Sequence, residues 1–394
     1  MRKASLGTLF LVVFLDLVGF GIVIPILPYY AQTYGASAWA LGWLMTSYSL
    51  MQFLFSPLWG RISDSIGRRP VLLISILGSC LSMLILGFAP SLIWLFIGRI
   101  FAGVSGANIS TAYAYITDVT TEKDRAKGMG IIGAGFGLGF IFGPAIGGIL
   151  SQYGYSAPMF AGAGLSAVNW IFTYFKLPEP ESNSEIRAAH RTRRFDWKSI
   201  STSLSDPRTR FAVGIFLLVT FAVTQMEVVF ALYLKARFGY NAKQAGLLLA
   251  LTGLIMAAMQ GGLVGKMAHK WGEIFLVLLG TLICSVALGI FASADLILVM
   301  IGALVLLAIG HGMLHPSLSS LASKGAEEDR RGATMGVFQS AGSLARVIGP
   351  PCAGWLYDAL GGRSPFYCGA LVLALCFALT LFRRNSLDLQ AIPP

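Results

Sequence analysis

The stretch "DRAKGMGIIGAGFGLGFIFGPAIGG", residues 124–148, returns later in the chain as "DRRGATMGVFQSAGSLARVIGPPCAG", residues 329–354. In both copies a Met-Gly pair (Met129-Gly130, Met335-Gly336) precedes a Gly-Pro pair (Gly143-Pro144, Gly349-Pro350) by the same interval, at an offset of 206 residues. Gly60-Arg61 with Gly67 matches Gly265-Lys266 with Gly272 at an offset of 205. Two separate matches with nearly one offset mark a duplicated chain in parallel register. The expected organisation is a first half at 1–177, a linker at 178–208 and a second half at 209–394.

Composition says what each half is built from. Of 394 residues, 56% are hydrophobic and 12% charged, against about 25% charged in an ordinary soluble domain. A bilayer core takes roughly 20 helical residues to cross. Twelve apolar runs reach or approach that length: 6–31, 39–59, 71–89, 91–115, 128–151, 156–177, 210–234, 242–267, 273–293, 296–321, 332–357 and 365–383. The fold class expected is therefore an all-α polytopic membrane protein, with twelve transmembrane helices in two six-helix pseudo-symmetric halves. The first run reads as a retained helix and not a cleaved signal, because it is too long, carries Asp16 and has no small-residue cleavage site after it.

Charge supplies an orientation. With the N-terminus in the cytoplasm, 23 of the 29 Lys and Arg fall on cytoplasmic segments and four (Lys235, Arg237, Lys243, Arg363) on the other side. That asymmetry places both termini in the cytoplasm of a bacterial-type inner membrane. The net charge of +11 then belongs to loops facing an anionic leaflet and not to a nucleic-acid surface. The five cysteines lie in or beside apolar runs without metal-ligand spacing, so packing is their expected role. No metal and no cofactor are expected.

The two remaining cations, Arg99 and Arg346, fall inside spans, as do Asp16, Glu227, His311 and His315. An ionised group at mid-bilayer costs at least about 2.5 kcal/mol unless paired or hydrated, so each is a candidate for function. Counting along the helices puts Asp16, Arg99, Glu227, Arg346 and His311 at similar depth, from the middle of the membrane outward. Two readings stay open: static neutralising pairs, or a carboxyl that takes up and releases a proton, since shielding from water favours its neutral form while arginine stays charged. Arg346 is assigned to Glu227 or to substrate. His311 and His315 have the i, i+4 spacing of a zinc protease helix but no adjacent glutamate, so His311 is read as lining the cavity. His315, followed by Pro316, is expected to bond backbone freed at a kink.

Helix 5 of the count carries Gly135, Gly139, Gly143 and Gly147, a glycine row on one face that lets another helix approach closely, with Pro144 favouring a bend. Residues 128–133 match G-x-G-x-x-G, but no strand precedes them and they open a membrane helix, so no dinucleotide is expected. The candidate walls of a substrate cavity are the polar or amphipathic residues within spans: Gln52, Asn108, Tyr113, Gln225, Met226, Tyr233, Gln260 and Gln339. In "GRISDSIGRRP" (60–70), Gly60 and Gly67 would allow a tight turn, and Arg61, Arg68 and Arg69 would hold it at an anionic leaflet.

That stretch resembles the loop signature between helices 2 and 3 of the major facilitator superfamily. "IGRIFAGVSGA" (97–107) resembles its helix 4 motif, and "GFIFGPAIGG" (139–148) the helix 5 motif of its antiporters. With "DLVGFGIVIPILPYY" (16–30), the chain is most similar to twelve-helix drug:proton antiporters, particularly tetracycline-efflux-like ones. The resemblance implies a latch: Asp64 near the N-terminus of the helix starting at about Gly332, Arg68 one turn on, and Arg68 bridging to Asp118. It implies Asp16 as proton carrier, Arg99 in proton relay, and Gly143-Pro144 with Gly147-Gly148 as the antiporter motif. Glu227 is the second acid, without a family motif to match. The expected function is a monomeric proton-coupled exporter of amphipathic organic compounds, its partners being a small-molecule substrate, protons and the lipid bilayer. The rivals are a metabolite, siderophore or nutrient transporter and, more distantly, a membrane-embedded enzyme or receptor. Against an enzyme or an ATP-driven pump, the sequence has no G-x-S-x-G, H-E-x-x-H or G-x-x-x-x-G-K-[ST] motif.

Overall fold

A computed structural model describes residues 6–106, 109–120, 122–180, 204–325 and 331–388. The long elements among them are α-helices, numbered in chain order: α1 (Leu6–Thr33), α2 (Ala38–Ile66), α3 (Arg68–Gly87), α4 (Leu92–Ser105), α5 (Ile109–Val119), α6 (Glu122–Leu150), α7 (Ser156–Lys176), α8 (Pro207–Phe238), α9 (Ala242–Ala258), α10 (Val264–Trp271), α11 (Glu273–Ser293), α12 (Ile297–Lys324), α13 (Arg331–Leu360) and α14 (Ser364–Asp388). α4 with α5 forms one span, and α9 with α10 another, which leaves twelve long helical segments among the described residues. Residues 259–263 between α9 and α10 hold a kink, at which Gly262 leaves helical geometry with φ 154°.

The helices outrun their apolar cores, because extending a formed helix adds a hydrogen bond for each residue fixed. α2 shows the consequence and corrects one expectation. Gly60 is not part of a turn: it lies inside α2, which continues to Ile66. Ser63 and Ser65 bond their hydroxyls back to the carbonyls of Gly60 and Ile62 at 2.7 and 2.8 Å. The reversal is made by Gly67 alone, at φ 106°, a left-handed conformation that a side chain would strain. Its repeat counterpart Gly272 turns the chain in the same way at φ 80°.

Two compact units emerge, each holding most of one sequence half plus a short piece of the other. The first comprises 1–37, 43–195 and 234–253, and the second 38–42, 196–233 and 254–394. In the first, α1 contributes Leu9, Val13 and Leu17 to a core closed by Leu72, Tyr115, Ile116 and Leu177. In the second, one core gathers Met259, Val264, Leu276 and Met313. Tyr233 is buried there among Phe291 and Phe366 and donates its hydroxyl to the Ala292 carbonyl at 3.1 Å. Large apolar side chains such as Ile93, Leu298 and Phe382 remain exposed, which suits a surface facing lipid and not water.

The glycine row is the seam between α6 and α1. A Cβ on Gly143 would lie 2.6 Å from the Gly21 Cα, one on Gly139 would lie 2.7 Å from the Leu17 Cβ, and one on Gly147 would strike the Ile22 carbonyl. Backbone therefore lies on backbone, as small residues allow where no hydrophobic force drives helices together. The neighbouring face of α6 takes α9: a Cβ on Gly253 would meet the Phe140 carbonyl oxygen at 2.7 Å, and one on Gly246 would strike that of Pro144. In the second unit the carboxylate of Asp358, near the end of α13, accepts from the Ala38 and Trp39 amides at 3.2 and 2.8 Å. A carboxylate is favourable at a helix start and unfavourable at a helix end, so this contact turns Asp358 to account on α2.

Candidate functional site

Three clusters bring the sequence candidates together. The first surrounds the reversal at Gly67. Arg68 opens α3 with its side chain almost enclosed, at 9% exposure. Its Nε donates to the Asp118 carboxylate at 2.9 Å, and its Nη1 reaches Asp64 and the Ser63 hydroxyl, each at 2.6 Å. Arg69 lays its guanidinium over the Tyr174 ring and donates to the Tyr174 carbonyl. Arg61 is exposed. A residue that sequence reasoning missed completes the knot: Glu179, just past α7, accepts from the Arg68 and Arg69 amides at 2.7 and 2.8 Å. It caps the first turn of α3, where orphan amides and the helix dipole both favour an anion. Tyr115 secures the same strap, donating to the Pro178 carbonyl at 2.7 Å. Glu179→Ala is expected to cost about 1.5–3 kcal/mol, the range for hydrogen bonds to a charged group. Faster hydrogen exchange at the Arg68 and Arg69 amides would report it; unchanged protection would mean that the cap carries no weight.

The second cluster lies between α1, α2 and α4. Arg99, 5% exposed, places its Cζ 4.3 Å from the centre of the Tyr48 ring. Gln52 donates to the Tyr48 hydroxyl at 3.2 Å and to the Gly106 carbonyl at 3.1 Å. Phe20 packs on Tyr48 with ring centres 5.1 Å apart. Asp16 is half-buried on α1. Asn108 lies outside the described residues.

The third cluster is in the second unit. Between Ala222 and Leu234 every residue of α8 is buried except Glu227, which is exposed. The positive charge of Arg346 acts on Glu227 and also on His315, and His315 in turn acts on His311. His315 corrects an expectation: no hydrogen bond ties it to backbone among the described residues, and its ring packs edge-on against the Phe216–Phe338 stack. Gln225, Met226 and Tyr233 are buried, with Gln225 donating to the Gly349 carbonyl at 3.3 Å. Tyr113 is half-buried against the first unit's core. Gln339 is exposed on α13, and Gln260 is exposed at the kink between α9 and α10.

Membrane-length helices, a duplicated half and a closed Arg68–Asp64–Asp118 knot are features that known proteins can be set against. The Major Facilitator Superfamily model matches residues 9–350 and 326–393. The chain belongs to the major facilitator superfamily. It is an integral membrane transporter for small molecules. The chain is 33% identical over 389 residues to the class B tetracycline resistance protein of Escherichia coli, covering 93% of this chain and 94% of that protein. It is 28% identical over 393 residues to multidrug resistance protein 1 of Bacillus subtilis (strain 168), covering 99% of each. Among solved structures it resembles the human organic anion transporter MFSD10 (TETRAN), with a TM-score of 0.71 and 25% identity, covering 95% of this chain and 98% of that one.

Proposed function

We propose that this transporter is a proton-coupled exporter of amphipathic organic compounds, working as a monomer in a bacterial inner membrane with both termini in the cytoplasm. Relatives named for tetracycline resistance, multidrug resistance and organic anion transport support a broad amphipathic substrate class. The observation that carries proton coupling is Glu227. A carboxyl that is exposed where the rest of α8 from Ala222 to Leu234 is buried is placed to exchange a proton and not only to balance a charge. Asp16 on α1 is the other carrier, with Arg99 serving the relay in the first unit and His311 in the second. The Gly67 knot is the cytoplasmic latch, closed by Arg68 on Asp64 and Asp118. The exposed Gln260 and Gln339 supply polar contacts to substrate from the second unit, and Gln52 supplies one from the first. Gly135, Gly139, Gly143 and Gly147 with Pro144 and Gly148 keep the α6 seams tight enough to prevent proton leak.

The test uses inside-out vesicles holding a proton gradient reported by a quenched pH dye. Tetracycline and a panel of cationic drugs are added to wild type, Asp16→Asn and Glu227→Gln. Wild type is expected to lose the gradient on adding substrate, and each variant to do so at least about tenfold more slowly, the loss of a transition worth about 1.4 kcal/mol or more. Substrate-driven dissipation that survives in both variants would remove the two acids from the proton path. Uptake driven by an inward proton gradient would replace export with symport.

A further inference from the structure

We propose that Arg99 and Tyr48 form a seat for the anionic group of an aromatic substrate, a role distinct from the proton relay that the family resemblance implies. The inference rests on the exporter reading and names a substrate class for it: planar organic compounds that bear a carboxylate or a comparable delocalised anion. Arg99 is 95% enclosed, since only 5% of it is exposed, and its guanidinium is charged at any physiological pH. Its Nε has no hydrogen-bond partner, and no ion pair among the described residues involves it; what it has is the face of Tyr48 at 4.3 Å. An aromatic face offsets only part of the desolvation of a buried cation. The arrangement is thus one anion short, and the guanidinium fork is shaped to take a carboxylate through two parallel hydrogen bonds.

The neighbours fit the rest of such a molecule. Gln52 donates to the Tyr48 hydroxyl at 3.2 Å and so holds the ring from one side. Phe20 lies against Tyr48 with rings inclined by 33°, and its other contact, Phe140, is edge-on at 6.2 Å. Tyr48, Gln52 and Phe20 are each half-buried, so the cluster has an open edge beside an enclosed charge. A planar ring carrying the anion would stack on Phe20 while its carboxylate met Arg99.

The test measures binding of 2-naphthoate and 2-naphthamide, which share a shape and differ in charge, to the purified full chain in lipid nanodiscs. Wild type is expected to bind naphthoate at least tenfold more tightly than naphthamide. Arg99→Gln should erase that preference by weakening naphthoate alone, with retained naphthamide binding as evidence that the variant is folded. Tyr48→Leu should weaken naphthoate severalfold where Tyr48→Phe does not. Equal binding of the two probes by wild type, binding of neither, or a loss of both alike in Arg99→Gln overturns the proposal. If Arg99→Gln cannot be purified, the wild-type preference and the Tyr48 pair decide. Tetracycline-driven dissipation in vesicles separates the two readings: exchange without any charge preference removes the anion seat and leaves the exporter standing, while failure of both removes the exporter reading itself.

Discussion

Gly143→Leu is expected to abolish transport and to lower the thermal midpoint of the purified protein by several degrees, while Gly133→Leu on the same helix leaves both nearly unchanged. The contrast follows from what each position meets. A Cβ on Gly143 would fall 2.6 Å from the Gly21 Cα and 2.9 Å from the Val18 carbonyl oxygen, all of it backbone that no rotamer change can move. A Cβ on Gly133 would meet nothing within 4 Å. Even Gly143→Ala should cost about 1–3 kcal/mol, the usual penalty for forcing atoms into a packed site, whereas Gly133→Ala should gain up to about 1 kcal/mol from helix propensity. Thermal unfolding followed by size-exclusion chromatography would check both. Equal midpoints for Gly143→Leu and Gly133→Leu would mean that the α1–α6 seam is looser than backbone contact, and its place in preventing proton leak would fall with it.

The period of four in the glycine row was readable because it depends only on helix geometry. The row says that one face of α6 is flat, and nothing in it says which helix lies there. Long-range packing chose α1 for that face and gave the next one, at Phe140, Pro144 and Gly148, to α9. The twelve spans were legible for a comparable reason, since a bilayer forces every crossing segment to a common length and an apolar composition. Side-chain direction was not. α8 is apolar all round, so no periodicity separates the buried Gln225, Met226 and Tyr233 from the exposed Glu227. Being polar within a span marks a cavity wall and a helix contact equally. Gly60 was misread because a glycine next to charge looks like a turn, while the backbone simply kept its hydrogen bonds to Ile66. Glu179 was hidden by distance: it lies 111 and 110 residues from the two amides it caps, in a polar stretch where any carboxylate looks like a solvated one.

Arg68→Ala is expected to be the most damaging single substitution in the first unit's charge network, costing about 3–5 kcal/mol as one partner of an enclosed ion pair is removed and the other is left unpaired. Asp118 is the partner that decides this figure, because its side chain is 16% exposed against 26% for Asp64, and an ion pair weakens as water reaches it. SDS-titrated unfolding should therefore rank Asp118→Asn well above Asp64→Asn in stability lost. A double-mutant cycle between Arg68 and Asp118 should show a coupling within the range of about 0.5–3 kcal/mol found for contacting residues. Arg68→Lys should recover part of the loss and not all, since one ammonium cannot reach Asp118, Asp64 and Ser63 together as Nε and Nη1 do. Transport reads out a different quantity. If Asp64 serves the latch and not the fold, Asp64→Asn will leave stability nearly intact and still slow exchange by tenfold or more. If instead stability and transport fall together across all three residues, the knot is a structural rivet that holds the α2–α3 turn to α5, and the opening of the cytoplasmic side must be controlled elsewhere.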